Sequence, residues 1–122
     1  MSREIKFRAW DKDDQVMDFP TEISWGDGGD IQNVDTYHKK MTNNFVLEQF
    51  TCLKDKNGKD VYEGDLLKIK YPFSDNYEIG EVKWSNSDAG FIIGNFQFWK
   101  VVPKSAVVGN IHENPELLEA EK

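Results

Sequence analysis

Short runs in which apolar and polar residues alternate, cut by turn chemistry roughly every eight to twelve positions, constrain this chain more than any other feature. Glu4-Ile5-Lys6-Phe7-Arg8-Ala9-Trp10 sets Ile5, Phe7 and Ala9 on one face of an extended segment and Glu4, Lys6 and Arg8 on a wet face. Asp11-Lys12-Asp13-Asp14 reads as a turn, after which Val16-Met17-Asp18-Phe19 can pair back as a short strand. Phe45 to Leu53 is rich in apolar and β-branched residues and predicts one or two strands. Leu66 to Tyr71 points Leu67, Ile69 and Tyr71 one way and Lys68 and Lys70 the other, and Ile79 to Trp84 sets Val82 and Trp84 against Glu81 and Lys83. Phe91-Ile92-Ile93, Phe96-Gln97-Phe98-Trp99 and Val107 to Ile111 continue the series of short runs. Residues 20–44 are less legible. Pro20 breaks what precedes it, Trp25 to Asp30 is a glycine and aspartate loop, and Thr36 to Asn44 has no clear period, so a loop or one short helix is expected. In the tail Asn114 is placed to cap a helix, Pro115 suits its first turn and Glu116 its positive end, with Leu117 and Leu118 to dock it and fraying from Glu119 to Lys122. The sum is a mainly β fold, a small twisted sheet or SH3-like barrel with an N-terminal strand extension and a short C-terminal helix.

The densest chemistry lies in Lys54-Asp55-Lys56-Asn57-Gly58-Lys59-Asp60-Val61-Tyr62-Glu63-Gly64-Asp65. A calcium loop of the EF-hand kind needs oxygen-bearing side chains at positions one, three and five, glycine at six and glutamate at twelve. Counted from Asp55, those positions hold Asp55, Asn57, Lys59, Asp60 and Leu66, with the glycine two places early. A lysine among the ligands and no closing carboxylate make this a poor cation site. A hairpin fits better: Asn57-Gly58 is the favoured pair for a type I′ turn, Thr51-Cys52-Leu53 and Val61-Tyr62 supply the arms, and Glu63-Gly64-Asp65 turns into the next strand.

At 122 residues the chain is long enough for one domain with a core of its own. It is read as a single domain, 1–122, with N-terminal strands and a variable loop over 1–49, a β core over 50–111, and a short helix and tail over 112–122. The formal net charge of −7 disfavours ordinary contact with a phosphate backbone or an anionic membrane surface. The one cysteine, Cys52, excludes an internal disulfide and a thiolate zinc site, and suits a cytoplasmic protein. The beginning of the sequence carries no apolar run of signal-peptide length, and no window approaches the roughly eighteen apolar residues that span a bilayer.

Other candidate features have a structural reading beside the functional one. His38 and His112 are read as surface histidines, the latter a structural post before Asn114. Cys52 has no CxxC partner and no neighbouring base, and is expected to be a packed strand residue. Phe91 to Phe96 and Val107 to Ile111 share an apolar-apolar-Gly-Asn-apolar pattern, read as two strands each ending in a Gly-Asn turn. Of the four tryptophans, Trp10, Trp25, Trp84 and Trp99, the pair Trp84 and Trp99 is expected to close the core, while Trp25 is the candidate for an exposed contact. No glycine-rich phosphate loop, HExxH or GxSxG is present.

Three blocks carry a resemblance. They are Arg3-Glu4-Ile5-Lys6-Phe7-Arg8-Ala9-Trp10-Asp11, then Gln49-Phe50-Thr51-Cys52-Leu53 running through Asp55-Lys56-Asn57-Gly58 to Glu63-Gly64-Asp65, then Val107-Val108-Gly109-Asn110-Ile111-His112-Glu113-Asn114-Pro115-Glu116-Leu117-Leu118. In order and spacing they resemble the YopX-like family of small phage and prophage proteins. The resemblance implies a mainly β fold, phage or prophage origin and a cytoplasmic setting, and hands over no mechanism. Residues 15–45 do not align, and Cys52 stands where the family usually has glycine.

The expected function is a non-enzymatic protein-interaction or self-assembly module that binds a host or phage protein or itself as a homo-oligomer. It is expected to need no cofactor, metal or membrane, and no catalytic residue is assigned. The alternatives are nucleic-acid binding through the lysines Lys54, Lys56 and Lys59, and an acidic decoy for a host DNA-binding protein.

Overall fold

The computed structural model describes residues 3–40 and 43–119. The chain divides into two compact units, residues 5–49 and residues 1–4 with 50–122.

In the 5–49 unit, β1 (Phe7–Asp11) pairs antiparallel with β2 (Val16–Asp18) on one side and with the first half of β5 (Phe45–Lys54) on the other. Trp10, Ala9 and Val34 are buried. Arg8 is buried too, against the expectation of a wet face, because β5 covers it and supplies Glu48: Arg8 Nε donates to Glu48 Oε1 at 2.9 Å. Residues 20–36, expected as a loop or helix, form a hairpin of β3 (Pro20–Trp25) and β4 (Ile31–Thr36). The proline that reads as a breaker opens a strand, where its missing N–H costs least. Of the polar stretch after Thr36, residues 41–42 lie outside the described residues.

The larger unit is a curled antiparallel sheet in the order β10-β7-β8-β9, formed by β7 (Asp65–Lys70), β8 (Tyr77–Ser85), β9 (Gly90–Ile93) and β10 (Ala106–Asn110). The second half of β5 pairs there with β6 (Asp60–Tyr62). The alternation along β7 holds: Leu67 and Ile69 enter the core while Lys68 and Lys70 face solvent. They join Val61, Val82, Ile93 and Val102, with Leu53, Phe91, Phe96, Phe98, Val101 and Val107 packed around them. Gly80 on β8 makes room for this core, since a Cβ there would lie 2.8 Å from Ile93 Cγ1.

Phe96 to Trp99, expected as a strand, instead leads into helix α1 (Phe98–Val101) and a 3-10 turn over Val102–Lys104. Helical spacing turns Phe98, Val101 and Val102 toward the core and Trp99 outward, so Trp99 is 64% exposed rather than core. Trp84 lies on the same face as Val82 but at the end of β8, where it is 47% exposed and stacks edge-on against Phe91 at 5.3 Å. Gly109 is not part of a turn. It sits at a β-bulge in β10, and Asn114 packs where a Cβ would go. Asn114 therefore spends its side chain on the N–H of Asn110, at 3.2 Å, rather than on the N-terminus of helix α2 (Glu116–Glu119). Asn110 does open a turn, its Oδ1 accepting from the N–H groups of His112 and Glu113. The expected fraying of the tail falls largely on residues 120–122, outside the described residues. Among the described residues no helix is long and apolar enough to cross a membrane.

Candidate functional site

The 54–65 stretch is a hairpin, but not of type I′. Gly58 alone has a left-handed backbone, at φ 82°. Its N–H reaches the Asp55 carbonyl at 3.0 Å while Asp55 N–H reaches Lys59 at 2.8 Å, the pattern of a three-residue loop built from a type I turn and a left-handed glycine. The extra residue leaves room for Asp55 to turn inward. Its Oδ1 accepts from the N–H groups of Asn57 and Lys59, both at 2.9 Å, and its Oδ2 from Val107 N–H at 2.9 Å. Burial pushes the carboxyl up, yet the three main-chain donors outweigh that and hold its pKa below the ordinary 3.8. Lys56 N–H bonds the Ser105 carbonyl at 2.9 Å, which fastens the loop to the segment before β10. Asp65, also buried, accepts from Tyr62 N–H at 2.7 Å. These two carboxylates staple backbone. Among the described residues no group of three or more His, Cys, Asp or Glu is arranged to hold a metal ion.

Ser105 leads to a surface that sequence reading missed. A cleft of about 240 Å³ runs over Ile69, Tyr71, Phe96, Lys100, Val101 and Lys104. It shares Lys70, Tyr71, Pro72 and Lys104 with an open depression of about 550 Å³ that continues onto Phe73, Ser74 and Asp75. The turn after β7 builds this groove. Phe73 is wholly exposed and has a left-handed backbone at φ 59°, a conformation unusual for a bulky side chain. Tyr71 donates its hydroxyl to Glu78 Oε1 at 2.6 Å and lies 6.2 Å from the Phe96 ring. That bond to a carboxylate, with partial desolvation, raises the Tyr71 pKa, so the phenol stays a neutral donor. Lys100 Nζ stands 5.1 Å from the centre of the Trp99 ring. Lys70 has Asp75 at 4.0 Å, an exposed pair that screening leaves weak. Lys100 and Lys104 have no carboxylate within 4.0 Å among the described residues. The result is a local excess of positive charge interleaved with exposed rings, in a protein of net charge −7. The signal available in sequence was Lys70-Tyr71-Pro72-Phe73 and Trp99-Lys100, two aromatic and lysine clusters about thirty residues apart whose meeting depends on how the sheet curls.

Of the lysines singled out in sequence, Lys54 is taken by Asp60 at 2.9 Å, while Lys56 and Lys59 stay on the exposed loop. His112 is half-buried, held through its main chain in the turn after β10, and exposed His38 meets Tyr37 edge-on at 5.3 Å. Cys52 is exposed, not packed. The bulge between Phe50 and Lys54 gives it a left-handed backbone at φ 73°, which turns the thiol outward to donate to the Glu4 carbonyl at 3.3 Å.

The 5–49 unit carries the opposite sign. Between Lys12 and Lys39 the sequence holds seven Asp and Glu and no Lys or Arg. The β3–β4 loop repeats the hairpin geometry above, with Gly26 N–H to Asp30 at 2.7 Å, Gly29 N–H to Gly26 at 3.0 Å, and Gly29 at φ 85°. Trp25, the expected exposed contact, is 57% exposed at its base. Lys39 reaches Asp11 at 3.1 Å, Asp14 at 3.5 Å and Asp13 at 3.7 Å. Burial raises the Asp11 pKa, but the Asp14 and Asp13 N–H groups and Lys39 bring it below 3.8.

The family model described as YopX protein matches residues 6–119, nearly the whole chain. The chain belongs to the YopX family. Two solved structures share the architecture of this YopX-family chain. Protein EF1440 from Enterococcus faecalis is 28% identical, with a TM-score of 0.66 over 96% of this chain and 99% of that one. Protein yopX from Bacillus subtilis is 20% identical, with a TM-score of 0.58 over 93% of this chain and 97% of that one, a likeness of fold. No curated protein matches the chain at a significant level.

Proposed function

We propose that this YopX-family chain is a non-enzymatic interaction module, encoded by a phage or prophage and working in the cytoplasm, that binds a protein through the groove around Tyr71 and Phe73. The observation that carries this is the groove's make-up: Tyr71 and Phe73 are exposed beside Lys70, Lys100 and Lys104, with the exposed Trp99 ring against Lys100. Exposed aromatic rings are among the groups that dominate contact energies at protein interfaces, and the lysines around them supply the charge that steers and orients an acidic partner. The buried carboxylates Asp55 and Asp65 accept main-chain hydrogen bonds, which suits structural posts and not acid–base work. An exposed thiol at Cys52 suits a reducing compartment, and the family resemblance supports the phage setting.

A photo-crosslinking residue placed at position 73 tests this in cells. A covalent protein adduct that survives nuclease, and is lost when Lys70 and Lys104 are both changed to glutamate, is the expected result. No protein adduct from position 73 would overturn the reading. The interleaving of rings and lysines also suits single-stranded nucleic acid, through stacking and phosphate contact. Nucleic-acid adducts, with an affinity that falls steeply with salt, would establish that second reading instead.

A further inference from the structure

We propose that the groove's occupant is the β3–β4 hairpin of a second copy of this chain, in a head-to-tail association. This rests on the reading of the groove as a protein-contact surface and adds what fills it.

Charge complementarity carries it. The groove gathers Lys70, Lys100 and Lys104 around Tyr71 and Phe73. The hairpin presents exposed Glu22, Asp27 and Asp30 next to exposed Trp25, inside a stretch of sequence that has no cation from Asp13 to His38. One surface is cationic and aromatic and the other anionic and aromatic, and they use different residues, so every molecule carries both halves. Elsewhere the net charge of −7 makes two copies repel, which confines contact to the place where the signs oppose. A continuous phosphate backbone fits less well, because Asp75 and Glu78 stand at the groove's edge and would meet its charge. Discrete carboxylates and an indole on a narrow hairpin can be placed between them. Because the two surfaces differ, the contact is heterologous, and repetition closes a ring or grows a chain.

The test uses sedimentation velocity on three full-length proteins: the natural chain, a groove variant (K70E/K100E/K104E) and a hairpin variant (E22K/D27K/D30K). Circular dichroism and thermal melts first show that both variants fold. The natural chain is expected to self-associate. Each variant alone is expected to lose that association by about tenfold or more in affinity. Mixed in equal amounts, the two variants are expected to form a complex that stops at two chains. The groove variant keeps a natural hairpin and the hairpin variant a natural groove, so one junction forms and none can follow. A natural chain that stays monomeric across the concentration range, or an oligomer that neither variant weakens, overturns the proposal. Dissociation by the groove variant alone also overturns it while leaving the groove as a contact surface. If the position-73 crosslinks to protein fail as well, the parent reading falls with it. Co-sedimenting nucleic acid on a monomeric chain points to the phosphate ligand and likewise refutes this one.

Discussion

Replacing Asp55 with asparagine removes one acceptor from a buried site that has three main-chain donors. The amide oxygen can keep the N–H groups of Asn57 and Lys59, but its NH₂ then faces Val107 N–H, which today donates to Oδ2 at 2.9 Å. One buried N–H left without an acceptor costs about 1–3 kcal/mol, and the two remaining bonds lose their charge assistance, so the total loss is about 2–4 kcal/mol. In urea, with an m-value of about 1.5–2 kcal/mol/M for a chain of this size, the unfolding midpoint should fall by roughly 1–3 M. The pH dependence separates this cause from a general packing defect. The folded-state pKa of Asp55 lies below its ordinary 3.8, the three donors outweighing burial. Such a group contributes stability that is fully present above the unfolded pKa and is lost as pH falls through the folded pKa. The gap between the natural protein and D55N should therefore be widest near neutral pH and shrink once the pH drops below about 3.8. Asp11 is also depressed, but it titrates alike in both proteins and cancels in the difference. Urea titrations followed by tryptophan fluorescence at about pH 7 and about pH 3 measure the gap at both ends. An equal gap at the two pH values, or no gap at neutral pH, would refute the assignment of Asp55 as the staple of the hairpin.

Cys52→Gly should stabilise the protein by about 0.5–1 kcal/mol, since Gly adopts the φ of 73° without the strain a Cβ brings; Cys52→Ala keeps that strain, so an equal gain there in chemical denaturation would sink the explanation. Gly80→Ala should cost about 1–3 kcal/mol by driving a methyl into Ile93, 2.8 Å from the new Cβ, and a melt unchanged from the natural protein would contradict the packing. Arg8→Ala removes the buried charge-assisted bond to Glu48 at 2.9 Å and should lower stability by about 1.5–3 kcal/mol in urea unfolding, whereas replacing both by apolar residues should recover most of it. Trp99→Ser should change stability by less than about 0.5 kcal/mol because the ring lies outside the core, and a large loss in a thermal melt would restore it to the core.

Period-two alternation, runs of apolar and β-branched residues, and turn residues were enough to find β1, β2, β5, β7, β8 and the mainly β class, because all are local: side chains alternate along a strand, and glycine tolerates the left-handed φ that other residues avoid. The family, too, was legible from three blocks of residues. The hairpin at 20–36 was not, because its register is set by cross-strand pairing that includes two irregularities, which blur the alternation. The hairpin's turn type escaped for a related reason: Asn57-Gly58 permits more than one turn, and the inward carboxylate of Asp55, reaching Val107, selects the one that forms. Trp84 and Trp99 were placed in the core by composition and face, but a strand's end and a helix's outward side lie beyond what a local period reports. The groove belongs wholly to the tertiary structure. Lys70-Tyr71-Pro72-Phe73 and Trp99-Lys100 with Lys104 are ordinary in isolation, and only the curl of the sheet, closed by the 3-10 turn over Val102–Lys104, sets them side by side. Sequence determines which faces want to be buried; which exposed residues then become neighbours depends on long-range pairing, and that is decided only when the chain has folded.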